Sequence, residues 1–278
     1  MTQVLLTFDC ALGWAAHARG QSWQDNLTAS FNPELPEALA HCGLKACFFV
    51  DPMPALIYGL DPIRRMVEPV LAAGQEVQLH LHPVWQSVAE GVAEGARFEL
   101  TCFDAEDQLD LIETARDLLG ESGAPPPVAF RSGGFAADVR TLAALLQAGL
   151  RFDSSHLAGK SALPLEPDLV GPADLGGIVE APVTLRIGAA SGGEIEAALR
   201  SRRPLVTLAG DGFEQAVRLE RLCTFLSDRA DALPTVHFNA LAPAPSAGIG
   251  PAAPRQAWRR TRRMAEPAWP NALYAQRL

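Results

Sequence analysis

Two of the chain's six histidines stand two residues apart in Glu76 to Pro83, EVQLHLHP. If this run is a strand, Val77, Leu79 and Leu81 point one way while Gln78, His80 and His82 point the other. Two neutral imidazoles sharing a face are half of a divalent metal site, to be completed by a carboxylate, a thiolate or water. The competing reading is an edge strand with a solvated polar face, because an HxH by itself is a weak motif. Asp9 ends the apolar run VLLTF, where a carboxylate is costly unless a metal or a hydrogen-bond donor meets it. Capping of the following loop is its alternative role. Arg131 precedes Ser132, Gly133 and Gly134, and glycines let a backbone approach a ligand closely. A guanidinium there could clamp an anion, hold Asp153 or Asp9 in a bidentate pair, or close a structural salt bridge.

Aromatic residues in strand-end loops give a second set. Trp14, Trp23 and Trp85 could stack on sugar faces or plug the packing. Trp14, Trp85, Gly133 and Phe135 are taken as the candidate substrate contacts. His41, late in a helix, reads as a surface residue favoured by the helix dipole, and His17, His156 and His237 read as hydrogen-bonded bystanders. The chain has no GxSxG elbow, no GxxxxGK[ST] loop and no GxGxxG after a strand. That argues against a serine hydrolase of that type, a P-loop nucleotide hydrolase and a Rossmann dehydrogenase. Hydrolysis of glycosides by paired carboxylates stays open, since their separation is not legible in a sequence.

These residues need elements to hold them. Val4–Phe8, Leu44–Val50, Glu76–His82, Val128–Phe130, Arg151–Ser155, Ile178–Thr184, Leu205–Leu208 and Thr235–Phe238 read as strands. Between them, helical spacing predicts helices over Pro33–Cys42, Ile63–Ala73, Ala105–Leu119, Asp138–Ala148, Gly193–Arg202 and Phe213–Arg229. The segment after Asp9, with Gly13, Trp14, His17, Gly20 and Trp23, has no sustained period and reads as a long loop. Strands alternating with helices imply parallel pairing through right-handed crossovers, with function at the carboxyl ends of the strands. Asp9, His80, His82, Arg131 and Asp153 all fall at or just past such ends.

At 278 residues, 48% of them hydrophobic, the chain suits one large α/β domain. The net charge of −9 argues against a nucleic-acid partner. From Ala252 onward six arginines face only Glu266, net +5, which leaves −14 on the rest. This basic tail, residues 251–278, is expected to pack on or extend from a body spanning 1–250. No positive region precedes the first apolar run, and no window approaches 18 unbroken apolar residues, so neither a secretory signal nor a membrane span is expected. Five cysteines without a CxxC fit a reducing cytoplasm better than a disulfide framework.

VLLTFDC, GLKACFFVD, EVQLHLHP, FRSGGF and FDSS follow one another in the order, and at roughly the intervals, of motifs in the metal-dependent polysaccharide deacetylases. This is the carbohydrate esterase family of chitin and peptidoglycan deacetylases, and the resemblance covers about the first 155 residues. It implies a single-domain, distorted (β/α) barrel that hydrolyses N- or O-acetyl groups on a carbohydrate with a divalent metal, most simply zinc. By matching position, Asp9 resembles the general base, His80 the first histidine ligand and Arg131 the residue that orients the base, while Asp153 stands on the family's Asp-bearing strand. His82 would be the second ligand, although the family's H-x-x-x-H spacing falls on Val84. Cys10 stands where the family has a metal-binding Asp. The family's late histidine, a general acid, has no counterpart in PLVTLAGDG, where Asp211 is the only titratable group; His237 is the one late histidine. Two other functions stay open: a catalytically impaired homologue that binds a glycan or a protein partner, and hydrolysis of other C–N bonds on the same barrel.

Overall fold

The computed structural model describes residues 2–92, 97–158, 160–166, 169, 171–214 and 216–241. The expected basic tail lies outside them. Nine strands form one sheet: β1 (Gln3–Cys10), β2 (Ala46–Val50), β3 (Glu76–Leu81), β4 (Ala129–Ser132), β5 (Phe152–Asp153), β6 (Ala173–Asp174), β7 (Val179–Glu180), β8 (Leu185–Arg186) and β9 (Leu205–Asp211). Their spatial order is β6-β7-β5-β4-β3-β2-β1-β9-β8. Every pairing is parallel except the antiparallel β6 and β7.

β7 and β8 pair at opposite sides of this order, on β5 and β9, yet only Ala181 to Thr184 separates them in the chain. A linker that short holds the two sides of the sheet together, so the sheet must curl shut. The linker's amides make the closure. Ala181 donates to Asp153 O at 2.7 Å and Val183 to His156 O at 2.8 Å, then Thr184 donates to Thr207 O at 2.9 Å and Ile187 to Ala209 O at 2.7 Å. The expected Ile178–Thr184 strand is therefore divided between two partners. The result is the expected (β/α) barrel.

Alternation sorts each strand between two cores. Val4, Leu6, Phe8, Phe48, Val50, Leu79 and Phe130 face outward into the helical layer. Leu5, Cys47, Phe49, Ala129, Phe152, Ala181 and Leu205 face inward and are closed from below by Phe238. The inner floor is thus largely apolar, and Asp9, His80, Arg131 and Asp211 take inward positions at the carboxyl ends of their strands.

The helices form at Leu35–His41, Asp61–Ala72, Ala105–Glu121, Val139–Gln147, Gly192–Leu199 and Ala216–Ser227, near where spacing predicts them. Asp138 starts one of them with a capping box to Thr141. The segment expected to be a loop after β1 instead holds two short helices, Trp14–Ala18 and Trp23–Ser30. The second is started by the Ser22 hydroxyl, which accepts from Asp25 N; it presents almost no apolar stripe, so it carries no periodic signal. The expected final strand, Thr235–Phe238, reduces to one parallel bridge between Val4 and Thr235, followed by a 3₁₀ turn at Phe238–Ala240. Among the described residues no helix is long and apolar enough to cross a membrane.

Candidate active site

The site sits where β1, β2, β3, β4 and β9 end. Arg131 on β4 is fully buried, and its side chain is spoken for on all sides. Nη1 donates to Asp9 Oδ1 at 2.7 Å, Nε to Ser154 O at 3.0 Å and Nη2 to Ser154 Oγ at 2.8 Å. Its guanidinium carbon lies 4.3 Å from the Phe49 ring centroid. A buried cation is tolerable only with such partners. Burial alone would raise the Asp9 pKa; the Arg131 guanidinium, helped by His80 and His82, more than offsets it and holds the carboxyl below its usual range. Of the two candidate carboxylates, Arg131 pairs with Asp9, through a single hydrogen bond rather than a bidentate fork.

His80 donates from Nδ1 to Arg131 O at 2.7 Å, because a carbonyl can only accept. His82 turns Nδ1 toward Asp51 Oδ2 at 3.2 Å. The two rings stand edge to face, with centroids 4.6 Å apart. With each Nδ1 turned to an acceptor, the neutral form of either ring carries its lone pair on Nε2, the tautomer that a metal-binding histidine needs. Burial, reinforced by His82, drives the His80 pKa down to about 4, so this ring is neutral near pH 7. Asp51 is fully buried and is itself fixed by Met53 N, which donates to Oδ1 at 3.1 Å. It was missed in reading the sequence, although FFVD carried the same signal as Asp9: a carboxylate at the carboxyl end of an apolar strand.

The donor set thus fits a divalent ion in chemistry, with two imidazole nitrogens of the right tautomer beside an ionised carboxylate. Among the described residues no group of three or more His, Cys, Asp or Glu side chains is placed to hold a metal ion, so the two imidazoles would be its protein ligands. The ion would be held by His80 and His82, with its other positions left for water or substrate. Cys10 adds nothing to this set. It faces the outer core, fully buried, and burial followed by the charges of Asp9 and Asp211 pushes its thiol pKa well up.

Gly133 serves the site by being small. A Cβ there would come within 2.5 Å of His82 Cδ2 and 2.9 Å of Leu81 O. Phe135, buried and in the left-handed region at φ 62°, packs with Val183 and Ala209 on the inner wall. For a bulky side chain that backbone is costly and is held only by its surroundings.

The remaining expected residues are not brought to this site. Asp153 is in register with Phe130, on the outer face. There it faces Glu180, with Ser155 Oγ donating to Oδ1 at 2.6 Å, so strand parity separates it from Asp9. His237 lies at the opposite end of the barrel, beside Glu76 where β3 begins and next to the bridge to Val4. Trp85 is fully buried against His17 and Tyr58, with no face to offer a ligand. Trp14 is half-buried and packs on Phe98 at 5.5 Å. His156 is a structural residue, hydrogen-bonded to Ser161 Oγ and Glu166 O.

No family model and no curated protein matches the sequence. Solved structures do. A polysaccharide deacetylase so described from Mycobacterium smegmatis is similar at TM-score 0.58 and 18% identity, over 85% of this chain and 93% of that one. A family 4 carbohydrate esterase from Streptomyces lividans, solved with acetate, is similar at 0.53 and 15%, over 88% and 98%. A 4-alpha-glucanotransferase from Thermococcus litoralis is similar at 0.51 and 14%, over 85% of this chain and 37% of that one. The chain has the polysaccharide deacetylase fold, as the motif order implied. The glucanotransferase carries a different chemistry on a related frame, so what the chain does must be argued from the site.

Proposed function

We propose that this chain hydrolyses an N- or O-linked acetyl group on a carbohydrate or related small molecule, with a divalent ion, most simply zinc, held by His80 and His82. The observation that carries the reading is the Arg131–Asp9 pair at 2.7 Å, set beside two imidazoles whose Nδ1 positions are both engaged. A bound divalent ion would polarise the acyl oxygen and acidify water. Asp9, kept ionised by Arg131, takes the proton from the attacking water. Arg131 is a positioning residue, since it is buried and its Nη1, Nε and Nη2 donate to Asp9 and Ser154. The wall at Gly133 and Phe135 is the surface offered to the acetyl group.

Acetate release from a panel of N- and O-acetyl sugars, with zinc, cobalt or manganese supplied, tests the reading. Wild type should turn over at least one substrate, and Asp9→Asn should fall by ~10²–10⁴-fold, the usual contribution of a general base. Wild type inert with every ion and substrate would refute it.

A second reading, a homologue that binds a glycan without cutting it, draws on Cys10. The family's metal-binding carboxylate is replaced there by a thiol facing the outer core. It predicts saturable binding of an acetylated oligosaccharide with no acetate formed.

A further inference from the structure

We infer that Asp211 is the general acid of this site, delivering the proton that the departing nitrogen or oxygen requires. The inference rests on the deacetylase reading above. Asp9 and Asp211 are in register on the adjacent parallel strands β1 and β9, so both carboxylates leave the inner face side by side at the barrel mouth. Register neighbours on adjacent strands stand roughly 5 Å apart at the backbone, a spacing that lets two side chains address one small substrate. The turn after Asp211 is fastened to β1, since Gly212 N donates to Asp9 O at 2.8 Å. It cannot be bulkier, because a Cβ on Gly212 would come 2.6 Å from Cys10 Sγ.

The two carboxyls meet different partners. Asp9 is locked to the buried Arg131, whereas among the described residues Asp211 pairs with Arg186 of β8, 48% exposed, at 3.6 Å. The charged groups acting on Asp211 are Arg186 from β8 and Asp9 from β1; on its own turn, Glu214 directs Oε1 toward Gly188 instead. Burial raises the Asp211 pKa, Arg186 opposes that, and the negative charge of Asp9 raises it further. Neighbouring carboxyls pushed in opposite directions divide naturally into one that is ionised and one that carries a proton. His237, the late histidine, is at the far end of the barrel and is out of reach.

The step balances. Asp9 accepts a proton from water as the water oxygen bonds to the acyl carbon. When the C–N or C–O bond breaks, its electron pair stays on the leaving atom and the Asp211 proton joins it. Acetic acid and the free amine or alcohol depart, and the proton on Asp9 returns to Asp211 through solvent.

The test compares Asp211→Asn with wild type on two substrates, the acetyl sugar that wild type cleaves and 4-nitrophenyl acetate, whose phenolate leaves without being protonated. The variant should lose ~10²-fold or more in kcat on the sugar but less than about threefold on the aryl ester, the signature of a missing acid. The alkaline limb of the wild-type pH profile on the sugar should vanish in Asp211→Asn. In Arg186→Gln, which removes the opposing cation, that limb should move to higher pH. Equal losses on both substrates, or no loss on the sugar, would overturn the assignment of Asp211 and leave the deacetylase reading standing. Wild type inactive on both substrates would overturn the two together.

Discussion

Asp9 and Arg131 depend on each other in a way that a variant can measure. Arg131 is wholly buried, and Asp9 is its only ion-pair partner among the described residues. Asp9→Ala leaves a buried guanidinium uncompensated and should cost about 3–5 kcal/mol in chemical denaturation. Asp9→Asn keeps an oxygen to accept from Nη1 but not the charge, so it should recover only part of that cost, and it is the better variant for kinetics because it keeps the shape of the pair. An Asn variant as stable as wild type would mean that the hydrogen bond, and not the ion pair, holds Arg131. Gly133→Ala is the corresponding test for His82. The added methyl has no room beside Cδ2 or Leu81 O, so the ring must move, and affinity for a divalent ion should drop at least ~10-fold, the loss expected when a ligand's support is disturbed. Unchanged affinity by isothermal titration would exclude His82 as a ligand. Much of this was legible beforehand: HxH at a strand end, an Asp closing an apolar strand and an Arg before two glycines each carried a physical signal. Strand parity fixes what could not be read. Asp153 looked equivalent to Asp9 until β5 began at Phe152 and turned it to the outer face.

Among the elements, the β5–β7 pairing is set apart by two buried carboxyls. Asp153 and Glu180 are in register, both fully buried, and each keeps one oxygen without any other hydrogen-bond partner. The other oxygens are used, Asp153 Oδ1 by Ser155 Oγ and Glu180 Oε1 by His156 N. The free oxygens are therefore matched to share one proton. Burial raises the Asp153 pKa from 3.8 to about 6, and burial together with the Asp153 charge raises that of Glu180 well above normal. Folded-state values above the unfolded ones mean that the folded chain holds more protons between them. The stability this provides is complete below about pH 4 and is lost as pH rises through 6 and beyond. Urea midpoints should fall over that range in wild type, and the slope should flatten in Glu180→Gln, which keeps a donor and cannot ionise. An unaltered slope would place the titration elsewhere. Glu180 could have been suspected in IVEAP, where a charge interrupts an apolar run, but no pattern in the sequence pairs it with Asp153.

For the whole molecule, the parallel order of strands was readable from alternating apolar runs and amphipathic helices, since burial on both faces imposes both patterns. Closure was not. It depends on four residues, Ala181 to Thr184, whose amides and neighbours bond to β5 on one side and to β9 on the other, and such a stretch reads as an ordinary strand. If it closes the barrel, the amides of Ala181, Val183, Thr184 and Ile187 should resist hydrogen exchange as well as those of β1 and β2; exchange at the rate of a free edge would contradict closure. The account as a whole turns on whether the two histidines hold a metal. Protein purified without chelator should contain close to one equivalent of a divalent ion by elemental analysis, or take it up when it is supplied, and His80→Ala and His82→Ala should each lose it. Wild type that binds no divalent ion at any supplied concentration would contradict the account.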